Sequence, residues 1–182
     1  MSFQPSLSRR ALLLGFSAGT LEALQHAHKQ VQAGSREFTY FQPATAAEIE
    51  ALASAIIPSD ATPGAREAGV IFFVDRALAS FDRDKRELYS EGLSTAQQKR
   101  REMFPQSTSI AALSDAQCHE LAASIEKTEF FEQLRTHTVI GFLATPEWGG
   151  NRDEVGWKLI GFEDTGVFQP PFGYYDRPGE TK

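Results

Sequence analysis

The stretch Thr45-Ala46-Ala47-Glu48-Ile49-Glu50-Ala51-Leu52-Ala53-Ser54-Ala55-Ile56-Ile57-Pro58 decides the fold. Ile49, Leu52, Ala53, Ile56 and Ile57 recur at i, i+3, i+4, i+7 and i+8, which lines one face of a helix. Thr45 and Glu48 read as a capping box, each side chain taking a backbone N–H that the helix start leaves unpaired. Pro58 stops the run, and Pro58-Ser59-Asp60-Ala61-Thr62-Pro63-Gly64 is a loop by its breakers. The same period returns downstream. Val70, Phe73, Val74, Ala77, Leu78 and Phe81 form a second stripe. Residues 83–104 are charged and weakly periodic, which predicts two helices broken near Gly92, with Ser94 as the second cap. Ser114 and Gln117 offer another capping box ahead of Cys118, Leu121, Ala122 and Ile125. The last helix is expected from Glu129 to about Leu143, with Phe131, Leu134, Thr138 and Phe142 aligned. No strand alternation and no internal repeat occur. The expectation is an all-α fold, a small bundle of short helices over residues 45–145.

Upstream, Ser8-Arg9-Arg10-Ala11-Leu12-Leu13-Leu14-Gly15 sets two arginines directly before a short apolar run that Glu22 interrupts. Residues 11–21 are too few to span a hydrocarbon core, which takes about 20. The pattern fits a twin-arginine export signal over residues 1–33, with Arg9 and Arg10 as its recognition pair. An amphipathic N-terminal helix is the alternative. Val31-Gln32-Ala33 places small residues suited to cleavage before Gly34, and residues 34–44 read as a linker. Export by this route delivers a folded protein to the periplasm.

Downstream, residues 146–182 hold seven of the 14 glycines, four of the nine prolines and seven of the 20 aromatic residues. This composition predicts a long irregular, aromatic and Gly-rich C-terminal strap. Aromatic rings on irregular backbone suit a segment that fills pockets, either on another protein or on the chain's own helices.

The chain has 182 residues and a net charge of −6, 41% of it hydrophobic. Without residues 1–33, which hold Arg9, Arg10, Lys29 and Glu22, 15 basic and 23 acidic side chains remain, a net charge of −8. Such a body repels phosphate, which argues against nucleic acid as a partner. One cysteine excludes an intrachain disulfide and a thiolate metal cage. No Gly-x-Gly-x-x-Gly follows a strand, Cys118-His119 is only a fragment of a haem-attachment motif, and His119 and His137 lack metal-ligand spacing. Neither a cofactor nor a metal site is expected in this chain, and no nucleophile stands beside a base.

Three blocks carry a family resemblance: Phe131-x-x-Leu134-Arg135-x-His137-Thr138-x-x-Gly141-Phe142, Pro146-Glu147-Trp148-Gly149-Gly150-Asn151-Arg152-Asp153 and Gly156-Trp157-Lys158-Leu159-Ile160-Gly161-Phe162. With Ile56-Ile57-Pro58-Ser59-Asp60-x-Thr62-Pro63-Gly64-Ala65, they resemble the gluconate 2-dehydrogenase subunit 3 family over about residues 43–165. The resemblance implies a small subunit of a membrane-associated flavin dehydrogenase acting on sugars or sugar acids. Its implied partner is a large FAD-containing catalytic subunit of the glucose–methanol–choline type, often joined by a cytochrome c. In that family the small subunit serves assembly, maturation and export, and membrane association runs only through the complex.

On this reading Trp148 and Trp157 are the expected docking anchors, since large rings in desolvated pockets dominate interfaces. Gly149 and Gly150 would allow close backbone approach, and Asn151, Asp153 and Lys158 would complete the docking strap. Arg135, His137 and Tyr174 are the residues that could reach into the partner's substrate pocket.

Overall fold

A computed structural model describes residues 37–165. Arg9, Arg10 and Tyr174 lie outside the described residues. The described chain forms six α-helices, joined in part by 3-10 turns, with no strand among the described residues. They are α1 (Pro43–Ile56), α2 (Val70–Ala79), α3 (Arg86–Met103), α4 (Asp115–Ile125), α5 (Glu129–Leu143) and α6 (Val155–Ile160). Helix α5 is the hub and packs on α1, α2, α3 and α6, while α1 lies against α4. None of these helices is long and apolar enough to cross a membrane.

Two local signals behave differently from their sequence reading. Helix α1 starts at Pro43, with extended Gln42 at the cap position. Proline is well suited to a first helical position because its missing N–H is not needed there. The helix therefore begins two residues before Thr45, and Glu48 is free of capping. Its carboxylate instead accepts from the Gln97 amide on α3 and from the Ile110 N–H. Residues 86–103 form one continuous helix rather than two, and neither Gly92 nor Ser94 marks a break. Gly92 is there for clearance: a Cβ at this position would sit 2.1 Å from Cγ of Phe130 on α5.

The other helix starts follow the sequence. The Ser114 hydroxyl accepts from Gln117 N–H while the Gln117 side chain accepts from Ser114 N–H, a complete capping box. Thr128 caps α5 through Phe131 N–H. The stripes bury Ile49, Leu52 and Ala53 from α1, Val70, Phe73, Val74, Ala77 and Leu78 from α2, and Cys118, Leu121 and Ile125 from α4. Ile56, Ile57 and Phe131 are half-buried at the edge of the core, and Phe81 lies past the end of α2 and is exposed.

One buried polar group was not evident in the sequence. The Asp75 carboxylate accepts from the backbone N–H groups of Thr39 (2.7 Å), Tyr40 (2.9 Å) and Phe41 (2.7 Å). Phe38 also stacks on Phe72, with ring centroids 5.1 Å apart. Residues 38–41, inside the stretch read as a linker, are thereby fastened to α2.

Candidate functional site

His137 lies on the inner face of α5 with only 2% of its surface exposed. Its Nδ1 is 2.8 Å from the Tyr89 hydroxyl on α3. Its Nε2 is 2.9 Å from Asp82 Oδ2, in the turn after α2, and 3.0 Å from the Gln133 amide. Tyr89 stacks on the imidazole and Phe73 meets its edge. Burial holds the ring below its usual pKa, against the opposing pull of Asp82. Neutral His137 therefore gives its single N–H, at Nε2, to the Asp82 carboxylate and accepts the Tyr89 proton at Nδ1. Burial also pushes the Tyr89 phenol upward, so it stays protonated. The trio is a closed hydrogen-bond chain that ties α3, α5 and the turn after α2 together. Arg135, two residues away, is exposed on the outer face of α5. The fold therefore does not bring Arg135 and His137 into one pocket.

Beyond α5 the expected irregular strap has regular pieces. Pro146–Trp148 and Arg152–Glu154 are 3-10 turns, and α6 follows. Asn151 organises this block. Its Nδ2 donates to Ala144 O (2.9 Å), its Oδ1 accepts from Gly156 N (2.8 Å), and the residue is fully buried. Asn151 has φ +46, a left-handed conformation that asparagine tolerates better than most residues. Gly150 is pressed so closely on the Gly141 carbonyl that a Cβ would lie 2.0 Å from it. The Trp157 ring is 8% exposed and its Nε1 donates to Leu143 O at 2.7 Å. Asn151, Gly150 and Trp157, read from sequence as docking residues, are thus built into this chain's own interior. Gly149 is half-buried at φ +101, and Asp153 and Lys158 are exposed. Lys158 Nζ donates to the Asp153 carbonyl.

Trp148 differs from Trp157: it is 51% exposed and meets Phe81 edge-on at 5.8 Å. The outer face of α5 changes character along its length. Glu132, Arg135 and Thr136 are followed on that face by exposed Val139, Ile140 and Leu143. Leu159, Ile160 and Phe162 are exposed on and beyond α6. Large apolar side chains collected on one end of a small domain signal an interaction surface.

Elsewhere, an open cleft of about 630 Å³ between α1 and α4 is lined by small side chains, with Arg66 and His119 among its polar groups. Cys118 borders it, but its thiol is buried, donates to Ala51 O, and is pushed up to about 11 by burial. A thiol so raised is a poor nucleophile. Among the described residues no cluster of three or more His, Cys, Asp or Glu could hold a metal.

The family model for gluconate 2-dehydrogenase subunit 3 matches residues 43–164. The chain belongs to that family, whose name makes it one component of a dehydrogenase complex. No curated protein and no solved structure matches it.

Proposed function

We propose that this chain is the non-catalytic small subunit of a periplasmic, FAD-dependent dehydrogenase acting on a sugar or sugar acid. The FAD and the catalytic groups belong to a large partner of the glucose–methanol–choline type. The small chain assembles with that partner, matures it and carries it out through the twin-arginine route. The supporting observation is the state of His137: both ring nitrogens are bonded inside the chain and the ring is buried. A ring bonded in this way supports reading His137 as a packing residue rather than as a group lent to the partner's pocket.

The physical logic is one of coupled transit. A flavin is loaded in the cytoplasm, so its protein must cross the membrane folded. A partner without a signal travels only while bound to a chain that has one. The test is Arg9→Lys with Arg10→Lys, which keeps the charge but removes the planar guanidinium that a specific receptor reads. Both proteins should stay in the cytoplasm, folded and flavin-loaded. Undiminished periplasmic flavoprotein in that variant would defeat the shared-export reading.

A further inference from the structure

We infer that the apolar face made by Val139, Ile140 and Leu143 on α5 with Leu159, Ile160 and Phe162 on and after α6 is the seat of the large flavoprotein subunit. The inference rests on the proposed subunit role and assigns it a surface. The six side chains are 36–60% exposed. They are held together by one linkage: Trp157 Nε1 bonds the Leu143 carbonyl, and Phe162 meets the Trp157 ring at 5.1 Å. Leu159 and Ile160 follow Trp157 directly. The fold thus uses one tryptophan as the internal fastener and leaves its aliphatic neighbours outside.

Area and charge choose the occupant. With about half of each side chain in solvent, the six offer roughly 500 Å² of apolar surface. That lies in the upper part of the roughly 300–600 Å² found for the largest patch on a monomer, a size that is often functional, and would form the apolar centre of the ~800 Å² that each partner gives a stable complex. Exposed Glu132, Glu147, Asp153, Glu154, Glu163 and Asp164 share this part of the chain, against exposed Arg135 and Lys158. A two-fold pairing of identical copies would bring like charges into the same interface. A larger heterologous partner, apolar at its centre and basic at its rim, meets both the area and the sign.

The experiment uses the full-length chain co-expressed with its flavoprotein. Ile140→Glu with Ile160→Glu adds acid to the face, while Ser94→Glu with Gln98→Glu places the same charge at exposed positions on α3 as the control. The expected result is that wild type and control co-purify with the flavoprotein. The face variant should lose affinity on the order of 100-fold, two anchors of about tenfold or more each, with its own melting within about 2 °C of wild type. If the face variant binds as wild type does, the seat is elsewhere and the subunit role survives. If wild type fails to co-purify, the subunit role falls and this inference with it. A wild-type homodimer that the face variant makes monomeric assigns the face to a second copy and overturns the inference. So does binding to phosphatidylglycerol vesicles that this variant abolishes while co-purification is kept. A face variant whose own melting drops by several degrees shows a surface covered within the chain, with the same consequence.

Discussion

Trp157 donates its indole N–H to the carbonyl oxygen of Leu143 at 2.7 Å, closing α6 onto the end of α5. A carbonyl in the last turn of a helix has no partner within that helix, and this one receives a bond from a buried ring. Trp157→Phe should remove the bond but keep most of the packing, and destabilise the free subunit by about 1–2 kcal/mol. Trp157→Ala should cost about 3–5 kcal/mol through the cavity left behind. Urea unfolding of the free subunit gives both values, and equal losses would show that the hydrogen bond contributes nothing.

Asn151 spans the same junction with two bonds in a left-handed conformation. Asn151→Gly keeps the backbone but loses both bonds, whereas Asn151→Ala loses the bonds and strains the backbone as well. Alanine should therefore be the worse substitution, by about 1 kcal/mol. Melting temperatures that rank the two variants the other way would remove backbone conformation from the account.

Asp75 takes three consecutive N–H groups of residues 39–41 into one buried carboxylate. In Asp75→Asn one acceptor atom becomes a donor facing donors, and a stability loss of about 2–3 kcal/mol is expected from the orphaned groups. The local signature is a new protease-sensitive site near residues 37–42, read by limited proteolysis with mass analysis. Unchanged protection there would mean that the Phe38–Phe72 stack alone holds the segment.

His137 gives stability a pH dependence with a definite sign. Burial depresses the folded ring below the ordinary value of 6.5, so the unfolded chain binds the proton more readily. The contribution is fully present above about pH 6.5, and falls as pH drops through that value. It levels off once the folded ring is protonated as well. His137→Gln should lower stability at neutral pH and flatten this part of the profile. A variant with the wild-type slope between pH 5 and 7.5 would assign the slope to other groups. In the assembled complex the proposed non-catalytic role predicts a kcat/KM unchanged by His137→Gln, since the ring is buried and bonded within this chain.

What the sequence disclosed divides along the range of the interactions. The Ser114 cap and the Cys118–Leu121–Ile125 stripe depend on neighbours within a few residues, and both stand where the pattern places them. The Thr45 box fails because Pro43, two residues upstream, starts the helix earlier. Trp148 and Trp157 look alike in sequence yet have opposite fates. Their difference is set by the Asn151 turn, which brings Trp157 back onto Leu143 and leaves Trp148 against Phe81. The Asp75 clamp reaches back 34–36 residues to its donors, a separation that no periodicity carries.

Gly92 tests the same lesson. A glycine inside an exposed helix ordinarily weakens it by about 1 kcal/mol relative to alanine, and its replacement ordinarily stabilises. Here an added Cβ would meet Phe130 Cγ at 2.1 Å and Cβ at 2.4 Å. Phe130 is buried and its ring packs edge-on against Tyr89, so it cannot swing away without disturbing the His137 chain. Gly92→Ala should therefore destabilise the free subunit, by about 1–3 kcal/mol as overpacking does, reversing the propensity expectation. Phe130→Ala alone loses ring packing, but combined with Gly92→Ala it removes the Cγ and ring atoms that the new Cβ would meet, so the double variant should be more stable than the sum of the single losses. Additive losses in urea unfolding would show that the two residues do not press on each other, and a stabilised Gly92→Ala would return the glycine to its sequence reading as a helix breaker.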